Sequence, residues 1–292
     1  MSIRLPRPFG FARFGHFWMW LLASGSLIFF SAISLRYLYF ESVFCGPKRG
    51  GALPGECFYF LRSKVVRLGI EAHLWCVLPA GILAGFQFIP AVHRPPLLLV
   101  HRVIGYSSII LALVGSLAAL PLIRHAFGGD LASQASTGLL LVLFVVAQIA
   151  GYVCIKRRNI QDHRRWMLRS WFYAGSVITM RIIMILTSLA ITSIGGYYLA
   201  MPCAKINSIL KSREETLRWY PDCSPYFAGD VEHKIIVDAD VFNPNRVGLA
   251  AAFNLSYGMS AWLAIVSHAV GVELYIQSLK RRATNERAKK SK

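Results

Sequence analysis

Glu71 and His73 stand two residues apart in a stretch that is otherwise almost wholly apolar, GIEAHLWCVLPAGILAGFQF. A carboxyl and an imidazole so placed are the parts of a proton-transfer site, the carboxyl as general acid or base and the imidazole as relay. Arg181 is their expected counterpart. It follows Arg169 by a dozen residues inside another apolar run, which at the helical rise puts it roughly 18 Å further along its helix. That is the depth of Glu71 and His73 on a different helix of opposite direction. Either charge alone in hydrocarbon would cost several kcal/mol, so the matched depth predicts an ion pair. Glu71, His73 and Arg181 are therefore the candidate catalytic residues.

A second polar layer is expected at the other end of the same helices, where Gln87, His101, His163, Arg169 and His268 approach one face. Two readings compete for it. The side chains converge as a functional cluster, or His101 and His163 sit among headgroups beside Arg102, Arg164 and Arg165. His125 reads as loop surface, and His16, His93 and His233 read as solvated.

Positioning such groups requires helices that cross a bilayer. The chain has 292 residues, 55% hydrophobic and only 16% charged, too apolar for a soluble domain of that size. Six runs approach the roughly 20 residues that span a hydrocarbon core. They fall at about 17–35, 66–89, 103–123, 137–155, 168–194 and 248–276. The expected fold is all-α, a polytopic transmembrane helical bundle of about six spanning helices forming one membrane domain over 1–292. The first run follows Arg4, Arg7 and Arg13 and exceeds the apolar core of a secretory signal, so it reads as a retained helix.

The formal charge of +18 is distributed unevenly. With the N-terminus cytosolic, the inner segments carry 17 Lys and Arg against two acids, Asp162 and Glu286, while the outer loops hold ten acids among their bases. That contrast predicts both termini inside. The bases flank spans, which points to an anionic leaflet as their partner and not to nucleic acid.

The cysteines sort by the same topology. Cys76 and Cys154 lie within spans, whereas Cys45, Cys57, Cys203 and Cys223 lie in the two long outer loops. An even set on an oxidising side suggests disulfides, most simply Cys45 with Cys57 and Cys203 with Cys223, although four cysteines allow three pairings. Zinc is disfavoured because no CxxC or HxxxH pair accompanies them.

The C-terminus reads KKSK, with Lys289 and Lys290 fourth and third from the end. It resembles the dilysine retrieval signal of eukaryotic endoplasmic-reticulum membrane proteins, and on the basic tail 277–292 it predicts that membrane as the location. The lumenal loop 195–247 is expected to be a structured cap with a short helix at 204–219 and an extended VEHKIIVDADVF. Ser136 or Thr137 would cap the fourth helix. The sequon Asn254-Leu255-Ser256 falls inside the sixth span and is expected to be unglycosylated.

Taken in order, AHLWCVLPAGILAGFQF, HRVIGY and HRRWMLRSWF with a following VITMR resemble an uncharacterised family of predicted membrane proteins, domain of unknown function 2306, found in bacteria and fungi. The likeness covers about 65–185. It carries His73, Gln87, Phe88, His101, Arg102, Gly105, His163, Trp166, Met167, Arg169, Ser170 and Arg181 as family positions, with no settled activity attached. Fungal proteins of this kind often look like members of biosynthetic clusters.

Three functions follow. The first in rank is an intramembrane enzyme that acts on a lipophilic metabolite by acid/base chemistry of cyclase or isomerase type, with Glu71 tuned by burial and by Arg181. The alternative is a b-type haem oxidoreductase similar to the cytochrome b561 and ferric reductase bundles, with His73 at an outer site and His101 with His163 at an inner one. The third is a non-enzymatic transporter or scaffold, in which the charges are structural.

Overall fold

In the computed structural model the described residues are 10–11, 14–46 and 51–290. Arg4, Arg7 and Arg13, the Pro47–Gly50 part of the first loop, and the last two residues of KKSK lie outside them. Among the described residues six helices are long and apolar enough to cross a membrane: Phe14–Leu38, Lys64–Gln87, Leu98–Leu122, Leu131–Lys156, Ile160–Ile194 and Val247–Arg281. The chain is thus an all-α, polytopic membrane protein, as its composition required.

The helices outrun the apolar segments wherever polar residues cap or extend them. The fifth begins at Ile160 because the Asn159 side chain accepts from the Asp162 amide, and so QDHRRWM is helical. The fourth begins at Leu131, capped by Asp130 through the Ser133 amide. Ser136 and Thr137 are not its cap. The sixth continues beyond its apolar span, past Arg281, as one helix to Lys290.

Spans two and three pack along each other, with span one against span two. Span five packs against both four and six, and six also touches four. Contacts between these two sets of three are sparse, the main ones for the spans being three with four and one with five. In the first set the approach is set by Gly81 and Gly85: a Cβ at Gly81 would lie 2.4 Å from Ser31 Oγ, and one at Gly85 2.3 Å from Ile28 Cγ1. This is the small-xxx-small device of membrane helices.

At one end lies a structured cap. Helix α1 (Glu56–Arg62) precedes span two. After span five, β1 (Tyr198–Pro202) pairs antiparallel with β2 (Lys234–Asp238), from Tyr198 opposite Asp238 to Pro202 opposite Lys234. Between the strands are α2 (Cys203–Leu210) and α3 (Arg213–Trp219). The single helix expected over 204–219 is broken at Lys211, whose φ is 60°, and Ser212 caps the second piece. Disulfides Cys45–Cys57 and Cys203–Cys223 close the two segments in the expected pairing. Cys203 and Cys223 are fully buried with Met201, Ile206 and Val237 against the start of the sixth helix.

Candidate functional site

Glu71 and Arg181 are not brought together. The Glu71 carboxylate accepts from Arg67 Nε at 2.9 Å, one turn earlier on its own helix, and Arg67 also donates from Nη2 to Glu41 at 2.6 Å. Glu71 lies less than two turns from the helix start at Lys64, close enough to the cap for a local partner to satisfy it. Arg181 turns toward span one, its guanidinium 5.3 Å from the centroid of the Phe30 ring, and is exposed on the surface of the bundle. Among the described residues no carboxylate forms an ion pair with it. His73 is separate again: Nδ1–H donates to the Gly115 carbonyl of span three at 2.8 Å.

The second layer divides in two. Arg169 grips Glu273 of the sixth helix with Nε on Oε1 and Nη2 on Oε2, the latter at 2.9 Å, and its guanidinium lies over the Trp166 ring. One turn away His268 donates from Nδ1 to the Phe172 carbonyl (2.7 Å), and its Nε2 shares a hydrogen bond with Thr179 Oγ1 (2.8 Å). His268 thus clamps spans five and six together.

The other group gathers Gln87, His101 and His163 with His93, which the sequence had placed in solvent. Gln87 Nε2 donates to the His101 carbonyl at 3.0 Å. The rings of His93 and His101 meet edge to face at 4.6 Å. His163 Nδ1–H donates to the Gly151 carbonyl at 2.8 Å, as His73 does to Gly115. Each histidine thus binds the neighbouring helix where a glycine lets it come close. His73 reaches span three fourteen residues beyond His101, roughly 21 Å by helical rise. The outer and inner imidazoles therefore cannot share one haem. Among the described residues no three His, Cys, Asp or Glu are placed to hold a metal ion.

Sequence reasoning passed over a buried charge relay under the cap. Glu56, on α1, is 4% exposed, and Lys205, on α2, is 1% exposed. Between them lies Asn254 of the sixth helix. With the amide turned so that each atom has a partner, Nδ2 donates to Glu56 Oε1 (3.3 Å) and Oδ1 accepts from Lys205 Nζ (2.7 Å). Glu56 Oε2 accepts the backbone N–H of Phe127 at 3.0 Å, and Lys205 Nζ lies over the Tyr59 ring at 5.0 Å. Phe127 adopts a left-handed φ of 50° and stacks on Tyr257, centroids 3.9 Å apart. Burial pushes the Glu56 carboxyl above its ordinary range, opposed by Lys205 and the Phe127 amide. Burial pushes Lys205 down, opposed by Glu56. A Cβ at Gly55 would sit 2.5 Å from Lys205 Cε, so the relay is closely packed. It ties both disulfide segments, the loop between spans three and four, and the sixth helix together. The one signal available in the sequence was Asn254, a polar amide in a span that needs buried partners.

At the opposite end a cavity of about 250 Å³ opens between the two sets of helices. Its wall includes Trp20, Ser24 and Leu27 of span one, Phe88 and Pro90 after span two, Trp171 and Phe172 of span five, and Tyr275. His16 supplies an imidazole. Span one is widened here by a π-helical turn, Leu21–Gly25, and the Trp20 indole donates to the Gly85 carbonyl at 3.2 Å. Such π turns recur at functional sites because they displace side chains from the helical ladder.

Together these features define a polytopic helical membrane protein with a disulfide-stapled cap and an interhelical cavity. Residues 70–210 match the family described as Predicted membrane protein (DUF2306), in agreement with the resemblance carried by the histidine motifs. The chain is 22% identical over 319 aligned residues to Ava biosynthesis cluster protein G of Aspergillus versicolor, covering 94% of this chain and 92% of the relative. No solved structure matches it.

Proposed function

We propose that this protein is a multi-pass membrane protein of the endoplasmic reticulum that admits a lipophilic small molecule to the interhelical cavity and converts it by acid/base chemistry. The observation that carries this reading is the cavity: it is aromatic and aliphatic, lies where helix contacts are sparse, and is bordered by a π turn. His16 and Tyr275 are the wall groups able to move a proton to or from a bound ligand. The name of the Aspergillus versicolor relative supports a place in a biosynthetic pathway. Disulfides at one end and the basic KKSK tail at the other support a lumenal cap and cytosolic termini.

The decisive experiment compares metabolites of a deletion strain with those of strains restored by the wild type, His16→Gln or Leu27→Trp. The deletion should accumulate a lipophilic precursor that purified wild-type protein in nanodiscs converts. His16→Gln should bind and not convert it, and Leu27→Trp, which fills the cavity, should do neither. A precursor that wild-type protein moves across vesicles unchanged would establish transport instead. A tail reporter that became glycosylated would overturn the orientation.

A further inference from the structure

At the cavity's end of the bundle basic groups collect, and three of them, His93, His163 and Arg164, stand on elements that line the cavity. His93 follows the cavity residue Pro90 by three positions, and His163 and Arg164 precede the cavity residue Leu168 by about one helical turn. His93 and His101 touch, and each is close enough to His163 and Arg164 to feel their charge. His101 and His163 lie in the first turns of the helices that begin at Leu98 and Ile160. Both helix dipoles therefore present their positive ends here, and both helices are long enough for the effect to be full. Nδ1 of His101 is buried and has no hydrogen-bond partner. Asp162, next to His163 in the chain, is already engaged by Arg165 Nη1 at 2.7 Å and by Asn159.

An orphaned buried ring nitrogen inside a cluster of imidazoles and a guanidinium is a donor set awaiting an anion. We infer that His93, His101, His163 and Arg164 bind a phosphate-type anion, and that the ligand is an amphiphile whose tail occupies the adjoining cavity. This rests on the cavity being a ligand site. It specifies the substrate class as a lipophilic molecule with an anionic head, entering from the end where spans three and five begin. Arg164 supplies the permanent charge. His101 Nδ1–H donates directly, and His163, whose Nδ1–H is committed to Gly151, borders the site with its Nε2 edge.

The test uses the full chain in phosphatidylcholine nanodiscs and two probes that differ only at the head, n-decanol and n-decyl phosphate, read through tryptophan emission, since Trp20 and Trp171 line the cavity. Decyl phosphate should bind at least roughly tenfold more tightly than decanol, the smaller value expected for a hydrogen bond to a charged group. Arg164→Gln and His101→Gln should each reduce that advantage while leaving decanol binding unchanged. Equal binding of the two probes by wild type would overturn the anion site and leave the cavity standing. If neither probe binds, the cavity reading fails. Inorganic pyrophosphate then decides the anion site: an Arg164-dependent rise in Tm retains it for a free phosphate, and no rise removes it. Competition by phosphatidic acid placed in the disc would identify a bilayer lipid as the source of the head group.

Discussion

Lys205 and Glu56 face each other across the Asn254 amide, one two residues past Cys203 and the other next to Cys57. Two segments distant in sequence are thereby joined beneath the cap, each already closed by its own disulfide. That contact also fixes both disulfides at the same end of the bundle, an arrangement that any six-span topology with these loops must satisfy.

Because both charges are buried, their removal should be strongly coupled. Glu56→Ala leaves the Lys205 ammonium without its counter-charge and the Phe127 amide without an acceptor. Losing one partner of a buried pair costs about 3–5 kcal/mol. Lys205→Met should cost a similar amount, and the double variant should recover much of the loss, which thermal unfolding of the four proteins in detergent would reveal. Strict additivity of the Tm changes would mean that the two groups act independently.

The relay also predicts how stability depends on pH. Burial raises the Glu56 pKa above 4.5, so the folded chain holds that proton more tightly than the unfolded one. The resulting stabilisation is complete below about pH 4.5 and is lost as pH rises through the folded value. Lys205 is shifted the other way from 10.5, so its contribution is present at high pH and is lost on acidification through its own folded value. A Glu56→Gln variant lacks the first effect and leaves the ammonium without its counter-charge. The Tm advantage of wild type over Glu56→Gln should therefore widen as pH falls from 7 toward 4.5. A gap that stayed flat or narrowed over that range would contradict the account.

How much of this could be read in advance depended on which force dominated each element. The six spans were legible because hydrocarbon demands long apolar runs, and the four disulfide cysteines because the alternation of spans left them on one side, while their pairing within each loop was only the simplest of three. Helix ends were not legible where capping decided them, as at Asp130 and Asn159. Glu56 and Lys205 escaped because each stands in a polar loop, where a charged residue ordinarily meets water. Their burial depends on contact between α1 and α2, which no local pattern encodes. Glu71 and Arg181 misled for the converse reason: depth along a helix restricts which partners are possible, and the direction in which a side chain faces selects among them.

The seam between spans one and two should be intolerant of added volume. A Cβ at Gly85 would lie 2.3 Å from Ile28 Cγ1 and one at Gly81 2.4 Å from Ser31 Oγ, both below any real contact distance. Overpacking of this kind costs about 1–3 kcal/mol. Gly85→Val should lower Tm and also weaken ligand binding, since Trp20 loses the Gly85 carbonyl when span one moves away. A valine at Gly271, where a Cβ would meet nothing within 4 Å, is the control and should leave both unchanged.

The pair first expected to be catalytic gives the sharpest contrast. Glu71 lies in a chain of surface charges, accepting from Arg67, which also binds Glu41, and side chains so placed contribute little to stability. Glu71→Gln should therefore retain both Tm and conversion of the precursor. Among the described residues Arg181 has an aromatic neighbour, Phe30, and no carboxylate partner, so it is not half of an ion pair there. Replacing it by Met removes a charge from the spanning region without stranding an opposite one, and Tm should hold or rise. If Arg181→Met unfolds the protein, its guanidinium is structural after all. If it keeps Tm and abolishes conversion, the arginine acts on the ligand. Loss of conversion in Glu71→Gln alone would return the chemistry to the capped end of span two and away from the cavity.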